Sequence, residues 1–251
     1  MKNKGTKMLY TRFYDQVLTE ISAGKVSDGI NLLVGMLDTV DIGPGSLAQA
    51  KRELSGHSLA RMLLEDPTVA DAKARPNDTA ARIGMIGEAI AAGDISSTGR
   101  RLFEVTSELT FARALRQRRE GFASRYTRAL QLGQRVCVVT DDYENASKIS
   151  GAFDLIFAPD LFDQTVEPAL SNILKSAAAN LNTDGSVVVA ALLPRHLGAG
   201  WRSACLNWNP HCHDEDAFAR IAAAAGLHVR TFRDETDCIL WAELGASDYA
   251  N

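Results

Sequence analysis

The apolar residues in the first half of the chain recur every three or four positions, which is the spacing of one face of an α-helix. The first such face is formed by Phe13, Val17, Leu18 and Ile21. Gly24 marks its end, Asp66-Pro67 marks a stop or restart, and Gly133 is the predicted C-cap of the last long helix. We therefore predict a helical amino-terminal module over residues 1–133.

Runs of β-branched and aromatic residues replace this pattern in the second half. The runs are RVCVVTDD (residues 135–142), FDLIFAPDLFD (153–163), LNTDGSVVVAALL (181–193) and HVRTFRDETDCILWAEL (228–244). The last run is typical of two strands joined by a polar turn, and helical segments lie between the runs at 153, 181 and 228. This alternation predicts a parallel sheet with an antiparallel edge. The predicted fold class is α/β, with the sheet domain over residues 134–251.

Acidic residues stand where two of these strands end. In open α/β sheets, ligands bind beyond the carboxyl ends of the strands, so Asp142 and Asp160 lie where a ligand is expected. Either Asp142 or its neighbour Asp141 could accept hydrogen bonds from ribose hydroxyls. Asp160, with Phe157, Ala158 and Leu161, could line an adenine or methyl-donor pocket. The alternative for these acids is structural, as part of a strand-ending turn or as a helix cap.

An arginine-rich segment, RALRQRREGFASRYTR (residues 113–128), indicates a second kind of site. Arg116 and Arg119 are three residues apart and share a helix face, so they could bind a substrate carboxylate in bidentate fashion. A solvated or ion-paired helix face explains the same pattern at least as well.

The segment around residue 205 holds the remaining candidates. Trp201 and Trp208 bracket a loop with Asn207, and these three residues could cap a substrate pocket, although Trp rings usually fill a core or interface. His211 is the candidate catalytic acid or base, because an unperturbed His titrates near neutrality. His211 and His213 could share a metal ion, but the chain offers no second ligand pair with metal spacing, so we expect no metal.

Composition limits the possible partners and the compartment. The net charge of −4 over 251 residues gives no reason to expect nucleic-acid binding. No apolar run approaches the ~20 residues that a membrane-spanning helix needs, and the amino-terminal segment does not have the pattern of a signal peptide. The four cysteines lack paired spacing, which favours a reduced, cytoplasmic setting.

Several segments, taken in order, resemble class I S-adenosylmethionine-dependent methyltransferases. They are GHSLARMLLEDPTVADAKARPNDTAARIG, SSTGRRLFEVTSELTFARALRQRRE, FDLIFAPDLFDQ and WRSACLNWNPHCHDEDAFARIAAAAGL. More narrowly, they are similar to the bacterial group that is associated with methyl esters of 3-hydroxy fatty acids. The resemblance implies a Rossmann-like sheet, S-adenosylmethionine as cofactor and a small carboxylic or acyl substrate.

The chain departs from this family at the cofactor site. No glycine-rich loop occurs between Arg135 and Asp163, and the Gly-Tyr pair that is usual in the helical module is missing after Pro76. We therefore expect a truncated Rossmann-like sheet with a degenerate cofactor site. The protein is then either a methyltransferase-type enzyme with an unusual cofactor site, or a non-catalytic pseudo-methyltransferase that serves as a binding or regulatory subunit. A shortened sheet would leave apolar faces, so we expect a homodimer or a heterodimer with a paralogue.

Overall fold

The computed structural model describes residues 4–40, 46–75, 95–139 and 149–246. The chain forms two compact units, Met1–Arg113 with Leu197–Asn209, and Ala114–His196 with Pro210–Asn251. These units differ from the predicted segments 1–133 and 134–251. The long helix from Thr110 contributes residues to both units, and the chain returns to the first unit at Leu197.

The helices and strands alternate in the second half of the chain. In chain order they are α1 Lys4–Ser22, α2 Val26–Thr39, α3 Ser46–Ser55, α4 Ser58–Leu63, α5 Pro67–Ala74, α6 Ser97–Thr106, α7 Thr110–Gln131, β1 Val136–Val138, β2 Phe153–Ala158, α8 Leu161–Gln164, α9 Glu167–Ala178, β3 Leu181–Leu192, α10 Ala199–Cys205, α11 Glu215–Ala225, β4 His228–Arg233 and β5 Ile239–Gly245. None of the helices in the described ranges is long and apolar enough to cross a membrane.

Local signals explain the helix ends in the first unit. Gly24, with φ +83°, follows the end of α1 in the left-handed conformation that glycine adopts without strain. Asp66 is the N-cap of α5, where its Oδ1 accepts hydrogen bonds from the backbone N–H groups of Thr68 at 2.7 Å and Val69 at 3.3 Å. Pro67 occupies the first turn, where its missing N–H is harmless. The restart predicted at Asp66-Pro67 is confirmed.

The second unit is built on a five-stranded sheet with the order β1-β2-β3-β5-β4. Strands β1, β2 and β3 are mutually parallel, whereas β5 is antiparallel to both of its neighbours. The α/β fold class is therefore confirmed. The predicted antiparallel edge is confirmed as well, because β5 pairs antiparallel with β3 and the hairpin of β4 and β5 completes that side of the sheet. Within the hairpin, the more polar β4 lies outermost. The reason is burial: β5, ILWAELG, is almost wholly buried, whereas β4, HVRTFR, is partly or fully exposed.

Helices cover both faces of the sheet. On one face, α9 and α11 bury an apolar core against β2, β3 and β5, to which Ile156, Val187, Val189, Leu240, Leu170, Ile173, Phe218 and Ile221 contribute. On the other face, Phe122 of α7 packs edge-on against Phe157 of β2, with 6.0 Å between ring centroids. The centroid of the Phe122 ring also lies 4.7 Å from the ring centroid of Trp241 in β5. The polar side chains described below lie at the carboxyl ends of β2 and β3.

Candidate functional site

The end of β2 and the turn that leads into α8 hold most of the residues that the sequence predicted for cofactor binding. Phe157, Ala158 and Leu161 are no more than 2% exposed, and they contribute to the packing of the sheet against its helices. Asp160 keeps 26% of its side chain exposed at the end of the strand. Asp141 and Asp142 lie outside the described residues. Among the described cofactor candidates, only Asp160 therefore presents a polar side chain at the strand end.

A buried arginine holds this loop in place. Arg118 of α7 is 1% exposed and donates one hydrogen bond from Nη2 to Asp160 Oδ1 at 2.9 Å. A second hydrogen bond runs from Nη1 to Oδ2 of Asp163 at 2.7 Å, and the side chain of Asp163 is fully buried. Planar guanidinium groups suit this arrangement, because their donors are fixed in a fork. Arg118 thus links α7 to both ends of the α8 turn.

The electrostatics of this cluster favour a charged guanidinium. Burial alone would lower the pKa of Arg118, but the adjacent carboxylates of Asp163 and Asp160 raise it above the ordinary value. The other oxygen of Asp163, Oδ1, accepts a hydrogen bond from the backbone N–H of Leu192 at 3.0 Å. This contact ties the α8 turn to the carboxyl end of β3, so the ends of two parallel strands share one hydrogen-bonded cluster.

Arg118 was not singled out from the sequence, although the pattern contained a signal for it. The inward-facing positions of α7 are Leu115, Arg118, Phe122, Arg125 and Ala129, spaced alternately by three and four residues. Arg118 therefore stands on the apolar face of the helix. The predicted pair, Arg116 and Arg119, lies off that face, with Arg116 half-buried and Arg119 exposed. Their proposed binding of a substrate carboxylate stays a prediction.

The two histidines of the segment before α11 occupy different environments. His211 is exposed, and its backbone N–H donates a hydrogen bond to the carbonyl oxygen of Asp163 at 2.9 Å. His213 is 3% exposed, and its Nε2 lies 3.0 Å from the carbonyl oxygen of Phe162. Because a carbonyl only accepts, Nε2 carries the proton and Nδ1 is left as an acceptor. Nδ1 has no hydrogen-bond partner in the described part of the chain.

Burial also sets the protonation of this histidine. It lowers the pKa of His213, and the hydrogen bond to Phe162, which acts in the opposite direction, is the smaller effect. His213 is therefore held neutral, next to the aromatic rings of Phe162 and Phe218. Within the described ranges, no group of three or more His, Cys, Asp or Glu side chains could hold a metal ion.

The candidates Trp201, Asn207 and Trp208 lie in the first unit. The rings of Trp201 and Trp208 are 1% and 3% exposed, respectively, as expected for residues that fill a core. Arg202 donates from Nη1 to the carbonyl oxygen of Trp208 at 2.9 Å, and its guanidinium carbon lies 5.6 Å from the centroid of the same ring. Asn207 is exposed, with φ +47°, and its Oδ1 accepts a hydrogen bond from Lys51 Nζ at 3.3 Å. Of the three, Asn207 alone lines a pocket with Lys51.

Comparison with known proteins gives similarity at the level of the fold. No family model and no curated protein matches the sequence. Among solved structures, CalO1, a methyltransferase in calicheamicin biosynthesis with bound SAH, is 15% identical with a TM-score of 0.35; the match covers 41% of this chain and 32% of CalO1. The O-methyltransferase NcsB1 from neocarzinostatin biosynthesis, in complex with S-adenosylmethionine and 2-hydroxy-5-methyl naphthoic acid, is 18% identical with a TM-score of 0.33; the match covers 39% of this chain and 30% of NcsB1.

A further match covers more of both chains. Magnesium protoporphyrin IX methyltransferase (ChlM) from Synechocystis PCC 6803, with bound SAH, is 11% identical with a TM-score of 0.43; the match covers 71% of this chain and 99% of ChlM. The chain spans about a third of the length of CalO1 and NcsB1, at 32% and 30%. At these identities the likenesses concern the fold alone.

Proposed function

We propose that the chain is an S-adenosylmethionine-dependent methyltransferase-like protein that acts on a small carboxylic or acyl substrate. The observation that carries this proposal is the partly exposed carboxylate of Asp160, which Arg118 holds at the carboxyl end of a parallel strand. This is the edge of an α/β sheet where ligands bind. The resemblance of the sequence to class I methyltransferases supplies the identity of the cofactor.

The described residues fit one part of that cofactor. Its ribose hydroxyls and its ammonium group donate hydrogen bonds, and a carboxylate is a strong acceptor for both. Asp160 would receive such a donor, with Arg118 fixing its orientation. Phe157, Ala158 and Leu161 would take part through the shape of the packed strand end, because their side chains are already buried.

The chemistry proposed here needs few acid or base groups. Bound S-adenosylmethionine supplies an activated methyl group, and the protein mainly holds donor and acceptor in line. The residues of this chain would therefore bind, orient and exclude water. Arg116 and Arg119 remain proposed ligands for a substrate carboxylate, and Trp201, Asn207 and Trp208 remain proposed substrate-binding residues. For His211, the catalytic role also stays a proposal.

Calorimetric titration with S-adenosylmethionine and S-adenosylhomocysteine tests this function directly. We expect micromolar binding that Asp160→Asn weakens by tenfold or more, because one charge-assisted hydrogen bond contributes about 1.5–3 kcal/mol. Asp184→Asn is the matched control, because Asp184 is an exposed acid near the amino end of β3, away from the strand ends that matter. Screening of carboxylic and acyl compounds as methyl acceptors would follow.

Two results would overturn the proposal. One is the absence of both binding heat and thermal shift with either compound at millimolar concentration. The other is equal binding by the Asp160→Asn and Asp184→Asn variants, which would mean that the cofactor does not use the end of β2.

A non-catalytic relative is the second candidate, and an exposed apolar surface favours it. Leu132, which directly follows α7, is 67% exposed, and Val138 of the strand β1 is 47% exposed. Leu132 also lines a groove of about 360 Å³ together with Leu155, Phe157 and Val188. The groove also has polar lining residues, among them Arg125, Arg128 and Glu243. The exposed apolar side chains of Leu132 and Val138 are of the kind found at protein interfaces. The occupant of this surface would be a second copy of the chain or a paralogue.

Sedimentation velocity tests this second candidate. We expect a dimer at micromolar concentration that Leu132→Asp dissociates. Leu197→Asp is the matched control, because Leu197 is 64% exposed but belongs to the first unit. A wild-type monomer, alone and in the presence of a paralogue, would exclude the proposed assembly.

A further inference from the structure

The first unit contains a pocket of about 250 Å³ that none of the functions above uses as a whole. Its lining residues come from α3, α4, α5 and the end of α10. They are Lys51, Leu54, Ser55, Ala60, Leu63, Leu64, Val69, Ala72, Lys73, Ala204, Cys205 and Asn207. The buried members are apolar, whereas Ser55, Lys73 and Asn207 are exposed, so the pocket has an apolar floor and a polar rim.

The charged side chains among the described lining residues have one sign. They are two lysines, and no acidic residue is among the described residues of the lining. In the described part of the chain, no carboxylate lies within ion-pair distance of Lys51 or Lys73, and Lys51 Nζ donates a hydrogen bond to the Asn207 amide oxygen at 3.3 Å. The nearby acid Asp66 lies in a different cavity, where Thr106 and two backbone N–H groups donate to it.

The environment of Lys51 favours an anionic ligand. The side chain is half-buried, and burial lowers the pKa of Lys51 because the charged ammonium group loses hydration there. Cys205 does not supply a counter-ion at neutral pH, because burial raises the pKa of its thiol. A half-buried ammonium group that pairs with no carboxylate of the described residues gains hydrogen bonds and charge compensation when an anion enters.

We propose that this pocket binds a small carboxylate that carries a short apolar chain. The carboxylate lies at Lys51, with Lys73 and Asn207 at the rim. The apolar chain packs on Leu54, Leu63 and Val69. The site lies within one unit and needs no cofactor, so it stands independently of the methyltransferase proposal.

The pocket size limits the ligand. Its volume of about 250 Å³ corresponds to about eight water-sized groups, at about 30 Å³ for each. Hexanoate, with six carbons and two oxygens, is therefore a suitable probe. Small-molecule sites usually occupy about 300–1,000 Å³, and this pocket is slightly smaller. A long-chain lipid is therefore too large for it.

Calorimetric titration of the full chain with hexanoate, without any methyl donor, tests the proposal. We expect a dissociation constant on the order of 0.1–1 mM. Each methylene added between butanoate and hexanoate should strengthen binding about fourfold, and the gain should stop at longer chains. Hexan-1-ol and hexylammonium should bind at least tenfold more weakly than hexanoate, because neither pairs with the lysines.

Four variants locate the site. Lys51→Met should weaken hexanoate binding about tenfold or more and leave hexan-1-ol binding unchanged, whereas Lys51→Arg should retain most of the affinity. Lys25→Met, an exposed lysine of the same unit that pairs with Glu20, should have no effect. Ala60→Leu should abolish binding by filling the pocket, with circular dichroism as the control for folding.

The proposal is overturned by any of three results. They are no binding of hexanoate at millimolar concentration, equal effects of the substitutions at Lys51 and Lys25, and hexylammonium binding as tight as that of hexanoate. Because no S-adenosylmethionine is present, these results leave the test of the methyltransferase proposal untouched.

Discussion

Replacing Arg118 by methionine probes the cluster that fixes the loop after β2. The substitution keeps much of the side-chain volume and removes the guanidinium group. In the native structure, that group donates to Asp163 at 2.7 Å and to Asp160 at 2.9 Å. The two carboxylates then lose the cation that they share. The energetic cost is larger for Asp163, whose side chain is fully buried, than for Asp160, whose side chain is 26% exposed.

The magnitude follows from that difference in burial. Breaking a buried ion pair by removing one partner costs about 3–5 kcal/mol, because a charge is left uncompensated in the interior. Among the described residues, the Asp163 carboxylate then keeps the hydrogen bond from the backbone N–H of Leu192. We therefore expect Arg118→Met to lower the free energy of unfolding by about 3–5 kcal/mol. Asp160→Asn should cost no more than about 1 kcal/mol, because water screens that carboxylate and Arg118 still pairs with Asp163.

Urea unfolding measures these differences, with circular dichroism and tryptophan fluorescence as independent probes of two-state behaviour. Arg128→Met is the matched control, because Arg128 is an exposed arginine on the same helix and should change stability by less than about 0.5 kcal/mol. The double variant Arg118→Met, Asp163→Asn should recover most of the loss, because it leaves no unpaired buried charge at Asp163.

Two outcomes would refute this reasoning. The expected loss in the free energy of unfolding is about 3–5 kcal/mol. If Arg118→Met lost less than about 1 kcal/mol, the buried ion pair would not stabilise the loop. If the double variant were as unstable as the single one, packing rather than the unpaired charge would explain the loss.

Three further predictions concern other parts of the fold. Gly200→Ala should destabilise the protein by about 1–3 kcal/mol in urea unfolding, because its Cβ would lie 2.3 Å from the Leu37 carbonyl oxygen. Gly35→Ala, in α2 with nothing within 4 Å, should instead stabilise it by about 0.5–1 kcal/mol, and a loss there would contradict the helix assignment. Stability should fall as the pH drops below about 6.5. In that range His213 binds a proton in the unfolded chain, whereas burial keeps it neutral in the folded protein. His213→Gln, which can still donate to the Phe162 carbonyl, should reduce this slope in urea unfolding at pH 5.5 and 7.5, and an unchanged slope would assign it to other groups.

The candidate site illustrates where sequence reasoning succeeds and where it stops. Asp160 was placed at a strand end by a local pattern, and the structure has it there. The choice of Arg116 and Arg119 rested on their mutual spacing, which identifies neighbours on a helix but not which face is buried. Arg118 was the inward residue, and only its position relative to Leu115 and Phe122 could have indicated this.

His211 and His213 also show the difference between what sequence spacing predicts and what burial decides. The sequence does not distinguish His211 from His213. Alternate side chains of an extended segment point to the same side, so both were predicted to lie on one side of it. Burial separates them in the structure, because His213 packs against Phe162 and Phe218 while His211 stays exposed. A neutral, buried histidine and a solvent-exposed one have different chemistry, and sequence spacing alone does not distinguish them.

Periodicity along the chain was sufficient for the types of elements, the α/β class and the helix ends at Gly24 and Asp66, because these depend on residues within one or two turns. The folded chain was needed for the inner position of β5 and for the pairing of Arg118 with Asp160 and Asp163. Those partners are 42 and 45 residues from Arg118 along the chain. Such contacts depend on which faces of distant elements bury each other, and that choice is made by the packing of the whole sheet and its helices.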